Sequence, residues 1–405
     1  MYQWIRRGAA GTLVLAVILW GLNLWYGISL PNQYYVSQGE DLVLTQRAVV
    51  AVENVSDQQA VMSSTHPQNQ TLSLFGIMPI KTVAVQECQD LTVIPSGEAF
   101  GVKMFSQGAV VVGFSPVVTA QGTKEPYQGC DIQEGDIICK VNQKEVTRNE
   151  EISYLIRESG GEPMELTLQR EDGEHTVTLT PVLSSTDGTY KSGLWIRDSA
   201  AGIGTVTFIN ADTETFAGLG HPITDPDTGT ILPVESGEVC PVTIHSITKG
   251  TAGEPGELDG VFASNIPLGN ILLNNQTGVY GTLTGLDLDG MEPVELGYKQ
   301  EVEAGPATVL CALTDGEPRE YDIEICSVSM TGEDDTKNLV IQVTDPDLLD
   351  KTGGIVQGMS GTPILQNGKL VGAVTHVFVN DPTMGYGIFA ETMVEQLEQV
   401  EEAAS

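Results

Sequence analysis

Apolar residues first gather in one unbroken block. Residues 8–30 hold no charged side chain and include Leu13-Val14-Leu15-Ala16-Val17-Ile18-Leu19-Trp20. At about 1.5 Å of rise per residue, a helix of this length crosses a bilayer. Arg6 and Arg7 precede it, a bias that keeps the N-terminus in the cytoplasm and sets the rest of the chain outside. No small-x-small site succeeds the apolar core, so residues 1–30 read as an uncleaved transmembrane anchor rather than a signal peptide. Residues 31–95 mix Asn, Gln and Ser with short apolar runs and read as a stem or linker with some β-strand.

Beyond the stem the block gives way to alternation. Short Val, Thr and Ile runs with a period of two, punctuated by Gly and Pro, predict a mainly β chain. Two segments break that rule. Residues 150–158 place Ile152, Leu155 and Ile156 on one helical face, and residues 391–402 do the same with Met393, Val394, Leu397 and Val400. Residues 96–182 look like a PDZ domain: the first of these helices is succeeded by alternating strands at 164–168 and 176–179 around Asp172-Gly173. In that reading Phe100, Gly101, Val102 and Lys103 are the peptide-binding loop and strand, and a ligand peptide adds a strand beside residues 102–105.

Composition narrows the partners. The 405 residues carry 54 acids against 19 bases, a net charge of −35. No basic stripe is left to neutralise phosphates, so nucleic-acid binding is excluded, and docking on anionic lipid is disfavoured. Gly 45 and Pro 20 suit a β-rich fold of two or three domains. Cysteines at 88, 130, 139, 240, 311 and 326 form no Cys-x-x-Cys pair and lie near no histidine at ligand spacing, so neither a metal nor another cofactor is implied.

The candidate chemistry sits in residues 353–363, Gly-Gly-Ile-Val-Gln-Gly-Met-Ser-Gly-Thr-Pro. Glycines at 358 and 361 permit a sharp turn that presents the Ser360 hydroxyl beside the N–H groups of Gly358 and Ser360, as an oxyanion hole requires. A serine nucleophile needs a base, and there are five histidines: His66, His175, His221, His245 and His376. His221 stands between glycines just after a strand-like run and leads. His376 lies in an apolar strand that favours a wall position, and His175 alternates on an exposed strand face. The acidic partner stays open among Asp345 at a strand end, Asp347, Asp350, Asp225, Asp227 and Asp259. Residues 369–374, after the serine, are expected to return as a strand near the cleft and to pair with extended substrate.

These blocks resemble a known family. Residues 353–364, 218–223 (Gly-Leu-Gly-His-Pro-Ile), 193–198 (Gly-Leu-Trp-Ile-Arg-Asp) and 372–383 are similar to the SpoIVB sporulation serine peptidases. The resemblance implies a membrane anchor, a PDZ domain and, over residues 183–405, a trypsin-like double β-barrel peptidase with a short C-terminal helix. It implies Ser360 as nucleophile, His221 as base and Asp345 as acid. It further implies self-processing, and cleavage of a membrane-bound regulator of an intramembrane protease between forespore and mother-cell membranes, which activates a late sigma factor. A PDZ adaptor on an inactive protease fold and a general quality-control protease are the alternatives.

Overall fold

The computed structural model describes residues 2–44, 49–54, 68–88, 91–170, 172–264, 266–284, 288, 290–314, 316–332 and 334–404. His66 lies outside them. The apolar block forms one helix, α1 (Tyr2–Ser29), and only 6% of its 12–29 window is buried against the rest of the chain. A core helix would be covered; this one is bare.

The stem builds a sheet. β1 (Gln33–Ser37), β2 (Val50–Asn54), β3 (Gln68–Leu74) and β4 (Met78–Cys88) pair in the order β1-β4-β3-β2, with β1 parallel to β4. Tyr34, Leu72, Leu74, Val83 and Val85 close on Tyr26 and Leu30 at the end of α1, so the helix enters its own small core.

A long strand comes next, β5 (Ala99–Phe114). Its far end pairs with β6 (Ile137–Val141), which also meets β7 (Met164–Arg170) and, through it, β8 (Gly173–Leu179). Between β6 and β7 runs α2 (Asn149–Glu158), which buries Ile152 and Ile156 against Ile138, Leu166 and Leu168. Arg170 pins the turn before β6, because its Nε and Nη2 donate to the two carboxylate oxygens of buried Asp136 at 2.6 and 2.9 Å.

The near half of β5 belongs to a barrel. It pairs with β9 (Leu194–Asn210), which passes to β10 (Thr215–Gly218). On its other edge β5 meets β11 (Val234–Thr248), and β12 (Gly269–Asn275) with β13 (Gly278–Leu283) closes the ring back to β10. Phe100, Val102, Val206, Phe216, Val239 and Val279 fill it.

A second ring has six strands: β14 (Gly305–Ala312), β15 (Pro318–Val328), β16 (Leu339–Val343), β17 (Pro363–Gln366), β18 (Lys369–Phe378) and β19 (Asp381–Phe389). They close as β18-β17-β14-β15-β16-β19-β18. Val309, Ile323, Ile341, Ile364 and Val374 fill this barrel. A short helix, α3 (Pro346–Thr352), precedes β17, and α4 (Ala390–Ala404) packs Met393, Val394, Leu397 and Val400 on Phe208 and Tyr280 of the first barrel. The chain is mainly β, with an N-terminal apolar helix and a C-terminal helix, as the pattern predicts.

Removing one side of a buried ion pair leaves the other charge uncompensated. Arg170→Ala is therefore expected to cost about 3 kcal/mol in urea unfolding. A loss below about 0.5 kcal/mol would show that Asp136 needs no partner.

Candidate active site

The serine turn is assembled by local chemistry. Asp345 caps α3, its Oδ1 accepting from the amides of Asp347 and Leu348 at 2.9 and 3.0 Å. Pro346 begins the helix, and Gly353, left-handed at φ +75°, ends it. The chain then crosses to other strands: Ile355 N–H donates to Pro382 O, Gln357 N–H to Gly256 O and Met359 N–H to Val356 O. Gly361 comes so close to the first barrel that a Cβ there would lie 2.1 Å from Thr205 O. Only glycine fits.

That approach joins the two barrels. Thr205 N–H donates to Ser360 O at 2.9 Å, Thr205 Oγ1 to Gly358 O at 2.8 Å and Thr207 Oγ1 to Gly361 O at 2.7 Å. With these carbonyls held, the amides of Gly358 and Ser360 donate to nothing among the described hydrogen bonds. These two N–H groups, on either side of Met359, are free to take an incoming oxygen.

His221 arrives from the first barrel just past β10. Leu219 (φ +67°) and Gly220 (φ +69°) are both left-handed, a strained pair for which Leu219 is an unusual residue. Gly220 packs on Thr375, and Leu219 backs onto Gly361. The Ser360 Oγ donates to Thr375 O at 3.0 Å. Serine and histidine turns therefore meet around Thr375, and no hydrogen bond joins Ser360 to His221 in this state.

His221 Nδ1 lies 2.9 Å from Pro222 O. A carbonyl only accepts, so Nδ1 carries the proton and Nε2 keeps its lone pair. Burial pushes the His221 pKa down, with the Pro222 carbonyl opposing. The ring of His376 rests on it, centroids 5.0 Å apart and planes at 37°. Loss of hydration, and then the neighbouring His221, push His376 down to about 4. Both imidazoles are neutral at neutral pH, the form a general base requires.

The fold brings the Ser360 and His221 turns together around Thr375, with the Gly358 and Ser360 amides in the same loop. Other expected residues lie elsewhere. Asp345 does not reach His221: its carboxylate is engaged in the α3 cap and faces the Asp322 amide at 3.4 Å. The other acids are also committed. Asp225 and Asp227 hold Arg197, Asp259 takes Ser246 and Thr248, and Asp347 and Asp350 pair with Lys351 and Lys249. Among the described contacts, the acceptor on Nδ1 is a backbone carbonyl. His376, expected in a wall, is instead exposed over His221, because β18 bulges between Val374 and Val377 and turns it outward. Residues 369–373 do not present a free edge, since β17 and β19 or the strand Val294–Leu296 flank them. The edge opens only from Thr375 onward.

The peptide-binding assignment to Phe100, Gly101, Val102 and Lys103 is also corrected. Both edges of that stretch are filled: Val102, for example, pairs with Gly202 on β9 and Val239 on β11. Phe100 and Val102 are barrel core. Glycine amid alternating apolar residues describes a barrel strand as well as a ligand-binding strand. The open edge is residues 194–197, paired with β5 on one side only and facing α2 across a cavity of about 540 Å³ lined by Ile156, Arg157, Lys191, Gly193 and Trp195. A smaller apolar cavity of about 380 Å³, lined by Val102, Ala200, Gly202, Leu219 and Ile223, lies beside the histidine turn.

Two closed barrels with a serine and a histidine turn between them define a serine peptidase, here joined to a PDZ-type domain. The family model described as SpoIVB peptidase S55 matches residues 188–394, about half of the chain, and the tricorn protease PDZ domain model matches residues 120–184. The chain belongs to the SpoIVB peptidase S55 family. No curated protein matches it. Among solved structures it is similar to the active form of the Rv3671c protease from M. tuberculosis, at 14% identity over 50% of this chain and 74% of that one, with a TM-score of 0.31. It is also similar to the HtrA-type protease AlgW with decapeptide, at 9% identity over 76% of this chain and 65% of that one, with a TM-score of 0.31.

The lowered His221 pKa fixes the sign of a pH effect. The base works when neutral, and its folded pKa lies below the ordinary 6.5. The acid limb of kcat/KM should therefore have its midpoint below pH 6.5; a midpoint above it would contradict the partly buried site. Asp345 has a sharper test. Asn caps helices as well as Asp, so Asp345→Ala should cost about 1 kcal/mol of stability and more activity than Asp345→Asn. Equal loss of activity from both variants, with Asn retaining full stability, would return the carboxylate to a catalytic role.

Proposed function

We propose that this chain is a membrane-tethered, extracytoplasmic serine endopeptidase in which Ser360 is the nucleophile and His221 the base. The observation that carries this reading is the meeting of both turns on Thr375 beside two amides with no acceptor. Ser360 Oγ leaves Thr375 O, gives its proton to His221 Nε2 and attacks the scissile carbonyl. The oxyanion takes the Gly358 and Ser360 N–H groups, His221 protonates the leaving amine, and water resolves the acyl-enzyme. Extended substrate pairs with the open edge from Thr375, and the apolar cavity beside Leu219 and Ile223 receives one of its side chains.

The anchor reading rests on α1, whose residues 13–18, 20, 22, 24 and 25 are exposed and apolar as lipid requires. In the PDZ-type domain a peptide adds at the 194–197 edge. Family membership supports the finer role: self-processing, then cleavage of a membrane-bound regulator of an intramembrane protease during sporulation.

The test is fluorophosphonate labelling and intact mass of the full chain beside Ser360→Ala and His221→Ala. Each variant should lose peptidase activity by at least ~1000-fold, with labelling abolished in Ser360→Ala. Unchanged cleavage in Ser360→Ala would sink the assignment.

A further inference from the structure

The turn between β3 and β4 has features that a turn in water lacks. Leu74-Phe75-Gly76-Ile77 closes with Ile77 N–H on Leu74 O at 3.1 Å, and Phe75 and Gly76 are both left-handed at φ +54° and +67°. A β-turn whose two central residues are both left-handed favours Asn-Gly or Asp-Gly, whose short polar side chains tolerate that conformation. Here the first position is phenylalanine. Phe75 is 55% exposed and Ile77 is 86% exposed, so strain is accepted to hold two large apolar side chains outward. Residues 68–80 carry no charge, in a chain with 54 acids.

The position of the turn is set by how β4 leans on α1. Lys81 Nζ bonds Leu30 O and, at 2.9 Å, Asn32 Oδ1. A Cβ on Gly27 would touch Ile80 Cγ2 at 4.0 Å, and Asn23 Nδ2 donates to Pro79 O at 2.9 Å. Each step back along β4 thus descends α1 towards its apolar middle. At about 3.3 Å per strand residue the tip lies ~7 Å beyond Pro79, below the level of Asn23. The helix surface below Asn23 is bare and apolar, with Ile18, Trp20 and Leu22 exposed. Several polar groups along this contact are covered: Asn23 is bonded to Pro79 O, Phe75 N–H donates to Val49 O, and Pro79 has no N–H to leave unpaired.

We propose that Phe75-Gly76-Ile77 is a second membrane contact, inserted into the outer leaflet beside α1 below the headgroups. Lys81 marks the headgroup level, and the turn holds the protease sheet upright on the bilayer. Lipid is the occupant because the turn continues the surface of α1 and lies at its depth. A protein partner would have to reach it through the same layer. This inference rests on the reading of α1 as a membrane anchor.

The two are separated by one experiment. A diazirine amino acid is placed at Ile77, at Trp20 on α1 and at exposed Val118 on the PDZ-type domain, each in the full chain in phosphatidylcholine vesicles. Adducts are read by intact mass, with fluorophosphonate labelling as the check on folding. Lipid adducts at 20 and 77, with none at 118, are expected. Lipid adducts at 20 but not 77 would overturn the hairpin contact and leave the anchor standing. An absence at both would overturn the anchor and this inference with it. Protein adducts at 77 would assign the turn to a partner or second copy and overturn lipid as its occupant.

Discussion

The structure turns on three hydrogen bonds that Thr205 and Thr207 make to the carbonyls of Ser360, Gly358 and Gly361. Each is worth about 1 kcal/mol net, so their sum is modest. Their geometric effect is large. Each barrel supplies only half of the chemistry, the histidine from one and the serine from the other, and these bonds fix the offset between them. They also occupy three carbonyls of the turn, whose Gly358 and Ser360 amides have no acceptor among the described hydrogen bonds. The missing Cβ of Gly361 permits the approach, and the hydroxyl threonines use it. An apolar residue at 205 or 207 would suit the core equally well but would leave buried carbonyls without partners.

The electrostatics of the site come from partial burial rather than from a charged partner. With a net charge of −35, acids lie all around the surface, yet those near the histidine turn are held by Arg197 or by their own loops. His221 is left with a carbonyl on Nδ1 and a neutral imidazole against its face. A carbonyl fixes the tautomer as a carboxylate does, but it stabilises the imidazolium less. Ser360 meanwhile donates to Thr375 O, so in the proposed mechanism the serine and its base are placed but not yet engaged. This is a resting geometry that substrate, by competing for Thr375, is suited to change.

Glycine and apolar period were the legible part of the sequence. Ser360 and His221 stood out as candidates because each sits on a turn that needs glycine, and glycines are visible. The two helices showed as faces, and the anchor as a block. Asp345 was misread because a carboxylate at a strand end is equally a helix cap, and Pro346 after it was the signal for a cap. Phe100-Gly101-Val102-Lys103 was misread because a strand's edges are filled by distant residues, here 201–204 and 238–241, which local pattern cannot report. His376 was hidden by a bulge, which reverses the in-and-out count on which alternation depends. The strands of residues 31–95 showed only in part, because the core of β1–β4 is shared with a helix that reads as membrane.

One strand bears on both halves of the molecule. β9 begins at the open edge of residues 194–197, where a peptide would add, and runs on to Thr205 and Thr207, which hold the serine turn. β5 makes the same passage alongside it, from the PDZ-type domain into the first barrel. The domain is therefore built into the peptidase through two shared strands rather than hung from a linker. A ligand shifts a protein's state only by binding one arrangement better than another. Here an arrangement of the peptide edge is continuous, along hydrogen-bonded backbone, with the rungs that set the offset of the two barrels. Regulation by peptide would need no lid or relay, only a small slide or twist of β9 at its bulge between Arg197 and Ser199.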